Sequence, residues 1–207
     1  MNFHCPYYGI LWRRYVNSVY KELFRKSIHL CTAFIPFLLH HFYWPVEILL
    51  ILAVLGFTLS EVLRLNGINV PLISDITSIA ARKRDEGKFV LGPVTLVIGI
   101  IISSLIFEES CYTIGILSLA FGDGLASLSG KLFGRVHIPF TEGKTVAGSL
   151  SCFFAIFCSS YLVCKNVFES VVLAIVGMAI EVFPLRDFDN ILIPVLISFV
   201  AQFFVFA

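Results

Sequence analysis

The sequence predicts an all-α, polytopic transmembrane helix bundle of about seven spans, with its N-terminus in the cytoplasm. Three observations carry that prediction. The first is composition: 58% of the 207 residues are hydrophobic and only 14% are charged, where a soluble domain carries about a quarter charged residues. Mean hydropathy is +0.91. The second is spacing: apolar runs recur, each near the roughly 20 residues that cross a bilayer's hydrocarbon. The third is charge sorting. Every Lys and Arg except Lys165 falls in residues 1–26, 64–88, 130–144 or 184–190. Seven spans put those segments on one face, and the positive-inside rule makes that face cytoplasmic.

Residues 1–26 form an interfacial segment, with Trp12, Tyr15 and Tyr20 interleaved with Arg13, Arg14, Lys21 and Arg25 at headgroup level. Residues 27–207 form a single transmembrane catalytic domain. Its first span is Ser27–Tyr43, which includes Pro36, a residue that membrane helices tolerate. Val46–Leu63 is the second, ending in Glu61 and Arg64. Residues 65–88 form the longest polar loop, with a basic and acidic run at 82–86. Phe89–Phe107 is the third span, opened by Gly92-Pro93 and closed by Glu108-Glu109. Cys111–Ser129, Thr145–Val163, Val167–Phe183 and Ile191–Ala207 complete the set. No A-x-A-like site follows the first apolar run, so that run is expected to remain as a span. The six cysteines are scattered through apolar runs without a C-x-x-C pair and read as buried free thiols.

Strongly polar clusters all reach the basic face, which suits a water-soluble reagent meeting a lipid headgroup better than a channel. Asp123, between Gly122 and Gly124 at the end of a long apolar run, is the sharpest candidate. An ionised group in a span is costly, by about 2.5 to 3.5 kcal/mol, and is functional by default. Arg25 and Lys26 precede His29 at helical spacing and can share a face with it. Glu61 and Arg64 read either as an ion pair or as an arginine held ready for phosphate. Lys131, Arg135, His137 and Lys144 form a basic loop, and Lys144 stands at the start of a helix, where free N–H groups bind anions. No P-loop and no G-x-G-x-x-G is present, so a nucleotide would be held in another way. Asp187, Asp189 and Asn190, with Glu181 near the sixth span's end, offer oxygen ligands suited to Mg²⁺; the first three suit equally the turn and N-cap chemistry of the last helix.

Seven motifs occur in order: Arg25-Lys26-Ser27-Ile28-His29, Glu61-Val62-Leu63-Arg64, Gly92-Pro93-Val94-Thr95, Phe121-Gly122-Asp123-Gly124-Leu125-Ala126, Gly130 with Phe133-Gly134, Lys144-Thr145-Val146-Ala147-Gly148-Ser149, and Asp189-Asn190 with Pro194. Together they resemble the dolichol kinase, phytol kinase and CTP-dependent diacylglycerol kinase family of integral membrane lipid kinases. The resemblance runs from about residue 22 to residue 200. It implies CTP as phosphoryl donor, a divalent metal such as Mg²⁺, and a lipid alcohol as acceptor. Arg25, Lys26, Asp123, Lys144 and Asp189 match its site positions. Thr145 stands where Ser is common, and Ala147 where a Glu often precedes Gly-Ser.

The expected activity is therefore transfer of the γ-phosphate of CTP to a polyprenol, dolichol, phytol or diacylglycerol hydroxyl. Asp123 and Lys144 are the expected catalytic residues. Arg25, Lys26, His29, Arg64, Gly122, Gly124, Lys131 and Lys144 are expected to bind nucleotide or phosphate. Asp123, Asp187, Asp189 and Asn190 are the expected metal ligands, with Asp123 alternatively orienting the acceptor hydroxyl. The expected path for the lipid hydroxyl is lateral, past the small residues at 122–130. Expected partners are the lipid, the nucleotide triphosphate and the membrane, with no nucleic acid. The short chain points to a bacterial cytoplasmic membrane, with the site facing the cytoplasm.

Two other readings stand beside this one. A phosphatidate cytidylyltransferase would also use CTP; of its signature only Arg186-Asp187-Phe188-Asp189 is faintly similar here, and no His-Gly-Gly exists. A transporter or receptor would need polar residues in the outer half, where Glu47 is the main candidate. A retinal-type protein would need a lysine in the last span, and Ile191–Ala207 has none.

Overall fold

The computed structural model describes residues 6–68, 87–141 and 143–205, with side chains from residue 19 onward. The polar run at 82–86, the side chains of Trp12, Arg13, Arg14 and Tyr15, and Cys5 lie outside the described residues. Among the described residues the chain is helical, and its only extended pairing is one isolated bridge, His137 with Thr145.

Helix α1 spans Pro6–Cys31 and runs straight through residue 26, where the sequence suggested a boundary. A 3₁₀ turn at Thr32–Phe34 leads into α2, Ile35–Leu65. Together Val19–Leu65 forms an apolar stretch of 47 residues. At 1.5 Å per residue that is about 70 Å, more than twice the hydrocarbon thickness, so it cannot be one crossing. It breaks at Phe42, whose φ of −140° and ψ of 56° are non-helical. Pro45 lies three residues on and lacks the N–H that would bond back to His41. The contacts show that the chain reverses there. His29 lies 3.1 Å from Asp123 and His40 2.5 Å from Glu109. Beyond the break, Tyr43 donates to the Ser104 carbonyl at 2.8 Å, and Glu61 accepts from the Val90 N–H at 2.8 Å. The two halves are thus the first two expected spans, folded into a hairpin.

Helix α3 is Gly92–Ile106, with Pro93 in its first turn, where a missing N–H costs nothing. The next leg is α4 (Glu109–Leu117), a π-helical stretch (Ser118–Asp123) and α5 (Gly124–Phe133). Helix α6 is Val146–Cys164, α7 is Val167–Val182 and α8 is Asp189–Val205. Thr145 caps α6 by accepting from the Gly148 N–H at 3.2 Å, and Asn166 caps α7. By length and apolarity three helices suffice to cross a membrane: Val19–Leu65, Glu109–Phe133 and Val146–Cys164. Gly92–Ile106 and Asp189–Val205 are apolar but shorter. With Val19–Leu65 folded as a hairpin these three stretches make four crossings, and helix length and composition do not confirm the seven or so expected.

Ile100, Ile116, Leu119, Ile156, Leu173, Ile193 and Ile197 fill the core. Phe37, Leu49, Leu52, Leu59, Phe154, Leu162 and Phe203 face outward and exposed. A soluble surface rarely shows such a continuous apolar band, and lipid is its natural solvent. Cys31, Cys111, Cys152, Cys158 and Cys164 are free thiols.

Helix α8 is drawn close by two glycines. A Cβ on Gly99 would collide with the Asn190 carbonyl, and one on Gly115 with the Pro194 carbonyl and Ser198 Oγ. Small residues serve such seams in membrane bundles, where close packing replaces the hydrophobic drive. Gly99→Leu and Gly115→Leu should each destabilise the bundle by about 1–3 kcal/mol or more through overpacking. Gly56→Leu, which meets open space, should be neutral or mildly stabilising. Thermal unfolding in detergent distinguishes them.

Candidate functional site

The site starts from Asp123. A π turn admits an extra residue and rotates the side chains that follow it, and such turns gather at functional positions. Here the stretch ends on Asp123, buried at 3% exposure. Lys26 of α1, equally buried, is bonded to Asp123 Oδ2. His29 Nδ1 lies 3.1 Å from the same oxygen but off the line of a hydrogen bond, which leaves that buried nitrogen without a hydrogen-bond partner. Lys26 and His29 are one helical turn apart, so a single face of α1 presents both. Gly124 lets α1 come this close: a Cβ there would sit 3.3 Å from Leu30 Cδ2. Arg25 bonds Glu22 at 2.6 Å, and its buried Nε has no hydrogen-bond partner.

A second cluster gathers where α6 begins. Backbone bonds from Ile138 N–H to the Lys144 carbonyl (2.9 Å) and from Val146 N–H to the Val136 carbonyl (3.0 Å) hold the preceding loop. Gly143 has φ +95°, a conformation that favours glycine, and sets Lys144 at the helix start. Lys144 Nζ donates to Glu181 Oε1 at 2.7 Å, and Ser149 Oγ donates to Glu181 Oε2 at 3.2 Å. Burial pushes the Lys144 ammonium down. Glu181, by charge and hydrogen bond, then Asp123 and Asp189, outweigh that and hold its pKa above the ordinary lysine range.

Two further clusters are ties between helices. Arg64 grips Glu61 through two nitrogens, at 2.6 and 2.9 Å, and donates to the Lys88 carbonyl at 2.7 Å. With the Glu61–Val90 bond this clamps the end of α2 to the approach of α3. Asn190 Nδ2 donates to the Gly92 carbonyl at 3.3 Å and to Thr95 Oγ1 at 3.1 Å, joining α8 to α3.

Two cavities adjoin at this end. One is polar, about 510 Å³, and is lined by Glu22, Lys131, His137, Lys144, Thr145, Glu181 and Arg186 among others. The other, about 50 Å³, is lined by the polar side chains of Lys26, His29, Asp123, Asp187 and Asn190 and by the apolar Ile28, Val90, Pro93 and Leu96. Arg25 and Asp189 line both. Of the residues picked from sequence, Arg25, Lys26, His29, Asp123, Lys131, Lys144, Asp187, Asp189 and Asn190 come together here. Arg64 lines neither cavity and is committed to its clamp. Gly122 packs on Ile156 and Cys152, and Gly124 on Leu30, so both serve helix contact rather than phosphate. Glu22 and Arg186 join the site without having been picked, whereas Glu181, near the end of the sixth span, and His137, in the basic loop, stand out in the sequence as an oxygen ligand and a cation. A carboxylate in the last turn of an apolar helix is the signal that Glu181 gives. Glu22 stands one turn before Arg25. Among the described residues no three His, Cys, Asp or Glu side chains converge as a metal-ligating set.

The opposite end differs. Buried Glu47 bonds Ser104, and His40 bonds Glu109. The apolar core lies between it and Asp123.

Comparison with known proteins brings in the plant phytol kinases. The chain is 34% identical over 92 residues to probable phytol kinase 1, chloroplastic, of Glycine max, covering 43% of this chain and 30% of that one. It is 28% identical over 145 residues to phytol kinase 1, chloroplastic, of Arabidopsis thaliana, covering 66% and 46%. It is 32% identical over 131 residues to probable phytol kinase 1, chloroplastic, of Oryza sativa subsp. japonica, covering 53% and 41%. The chain spans less than half the length of these curated relatives. No family model and no solved structure matches. The chain is thus phytol kinase-like in sequence, as its motifs suggest. The expected bacterial cytoplasmic membrane is overturned: these relatives are chloroplastic plant proteins, and short length was no guide to the source.

A raised lysine pKa stabilises the fold below the unfolded value, about 10.4, and that contribution is lost as pH rises through the higher folded value. The stability gap between wild type and Lys144→Met should therefore be level from pH 7 to about pH 10 and shrink above it. Thermal unfolding across that range measures the gap.

Proposed function

We propose that this chain is a membrane-embedded lipid-alcohol kinase that transfers the γ-phosphate of CTP to a phytol-type isoprenoid alcohol. The observation that carries the proposal is the pair of adjoining cavities. The polar one falls within the roughly 300–1,000 Å³ of small-molecule sites. The other is large enough only for a head group and is walled in part by apolar residues. Arg25 and Asp189, lining both, stand where a phosphoryl group would pass. The likeness to phytol kinases supports an isoprenoid acceptor, and the ordered motifs support CTP as donor.

In phosphoryl transfer the protein mainly positions groups and neutralises charge. Lys144, at the start of α6, and Lys131 meet the donor phosphates. Arg25 neutralises the oxygens of the γ-phosphate between the cavities. The alcohol oxygen forms a bond to the γ-phosphorus while the bond from that phosphorus to the β–γ bridging oxygen breaks. CDP leaves with that electron pair, and the hydroxyl proton passes to the Asp123 carboxylate and on to water. Mg²⁺ usually needs only one or two carboxylates besides phosphate oxygens, so the donor set here fits it. Asp189 and Asp187 would hold it. When bound, the ion would neutralise donor phosphate charge.

The test is a product assay on the full chain in detergent with Mg²⁺ and γ-labelled CTP or ATP. The panel holds phytol, polyprenol, diacylglycerol and phosphatidate. Label should move from CTP to an organic-soluble phytyl phosphate, with CDP left behind. Pyrophosphate release with phosphatidate alone would make the chain a cytidylyltransferase. The absence of any lipid-dependent turnover would overturn the proposal.

A further inference from the structure

The small cavity sits where α1 and α3 face each other. Helix α1 packs on α5 and the π stretch, while α3 packs on α2, α4 and α8. Among the described residues no comparable packing joins α1 to α3, which leaves a lateral cleft between them. Ile28 on one lip is 36% exposed, so the cleft reaches the lipid-facing surface. Val90, Pro93 and Leu96 form the other lip. At the inner end stands the buried His29 Nδ1, without a hydrogen-bond partner. A hydroxyl both donates and accepts, so it can pair with that nitrogen in either tautomer. A volume of about 50 Å³ holds a hydroxymethyl group, given that a water occupies about 30 Å³ in the liquid.

The competing path past residues 122–130 is closed. A Cβ on Gly130 would lie 2.9 Å from Thr145 Oγ1, and one on Gly148 2.8 Å from the Ala126 carbonyl. The glycines there seat α5 on α6. An apolar groove of about 700 Å³ does lie outside that seam, lined by Leu125, Leu128, Phe154 and Leu162 among others. The packed seam walls it off from Asp123.

We propose that the acceptor alcohol enters through the cleft between α1 and α3, docking its hydroxyl on His29 beside the Lys26–Asp123 pair. Ile28, Val90, Pro93 and Leu96 then grip its first carbons and set the acceptor's shape at the head. This rests on the lipid-alcohol kinase reading above.

Two measurements test it. Kinetics with phytol and CTP compare wild type, Ile28→Trp, Ile28→Leu and Leu128→Trp, each first checked for native thermal unfolding. Ile28→Trp should raise the alcohol KM on the order of tenfold or more, the scale of a mis-sized apolar pocket, and leave the CTP KM within about twofold. Ile28→Leu should restore the alcohol KM, and Leu128→Trp should leave it unchanged. A diazirine-bearing long-chain alcohol, photolysed on the wild-type chain, should label α1 or the start of α3. That readout needs no turnover, so it separates failure of the cleft from failure of the kinase reading. Labelling confined to α5 and α6, or an alcohol KM that follows Leu128→Trp instead of Ile28→Trp, would overturn the cleft. So would an alcohol KM that neither variant changes.

Discussion

Everything at the working end hangs on one buried ion pair, Lys26 with Asp123. Each ion alone is too costly to bury; together they offset much of that cost, with His29 adding a nitrogen beside the shared oxygen. The pair joins the N-terminal helix to the π stretch in the middle of the chain, 97 residues on. No nearby backbone connection brings those two elements together. Without the pair, α1 would lose its buried ionic tie to the π stretch, and the small cavity would lose its inner wall.

The other polar contacts at this end repeat the device with smaller reach. Glu61 and Arg64 clamp α2 to the backbone before α3, and Asn190 ties α8 to α3. Glu181 brings α7 to the start of α6 through Lys144 and Ser149. Each tie satisfies a group that lipid cannot. Their joint result is a ring of helix ends around two cavities of different character. The polar cavity suits a nucleotide, and the half-apolar one suits the head of a lipid. Close glycine contacts at Gly99, Gly115 and Gly130 bring the helices near enough for these bonds to form.

Much of this was legible in the sequence, because membrane proteins write their architecture in hydropathy and charge. The helical class and the gathering of charge at one end follow from apolar runs and Lys/Arg placement. So does the singling out of Asp123. The break between the first two runs was legible too, in the end of one at Tyr43 and the start of the next at Val46. What was not legible depended on helix rotation. Gly122 and Gly124 flank the site's aspartate and so looked like a phosphate approach, yet their Cα atoms face Ile156 and Leu30. Arg64 looked available for phosphate, but its geometry with Glu61 is bidentate and closed. Glu22 and Arg186 reach the polar cavity by folding of distant segments, which no local pattern announces.

The most direct measurement is a double-mutant cycle on Lys26→Met and Asp123→Leu, read as unfolding free energy in detergent. Each single change leaves an uncompensated buried charge and should cost about 3–5 kcal/mol. The double variant removes both charges and should cost far less than the sum. Strong coupling of that kind would establish the pair as the anchor of the site. Additive losses would show that Lys26 and Asp123 act separately, and would contradict the account.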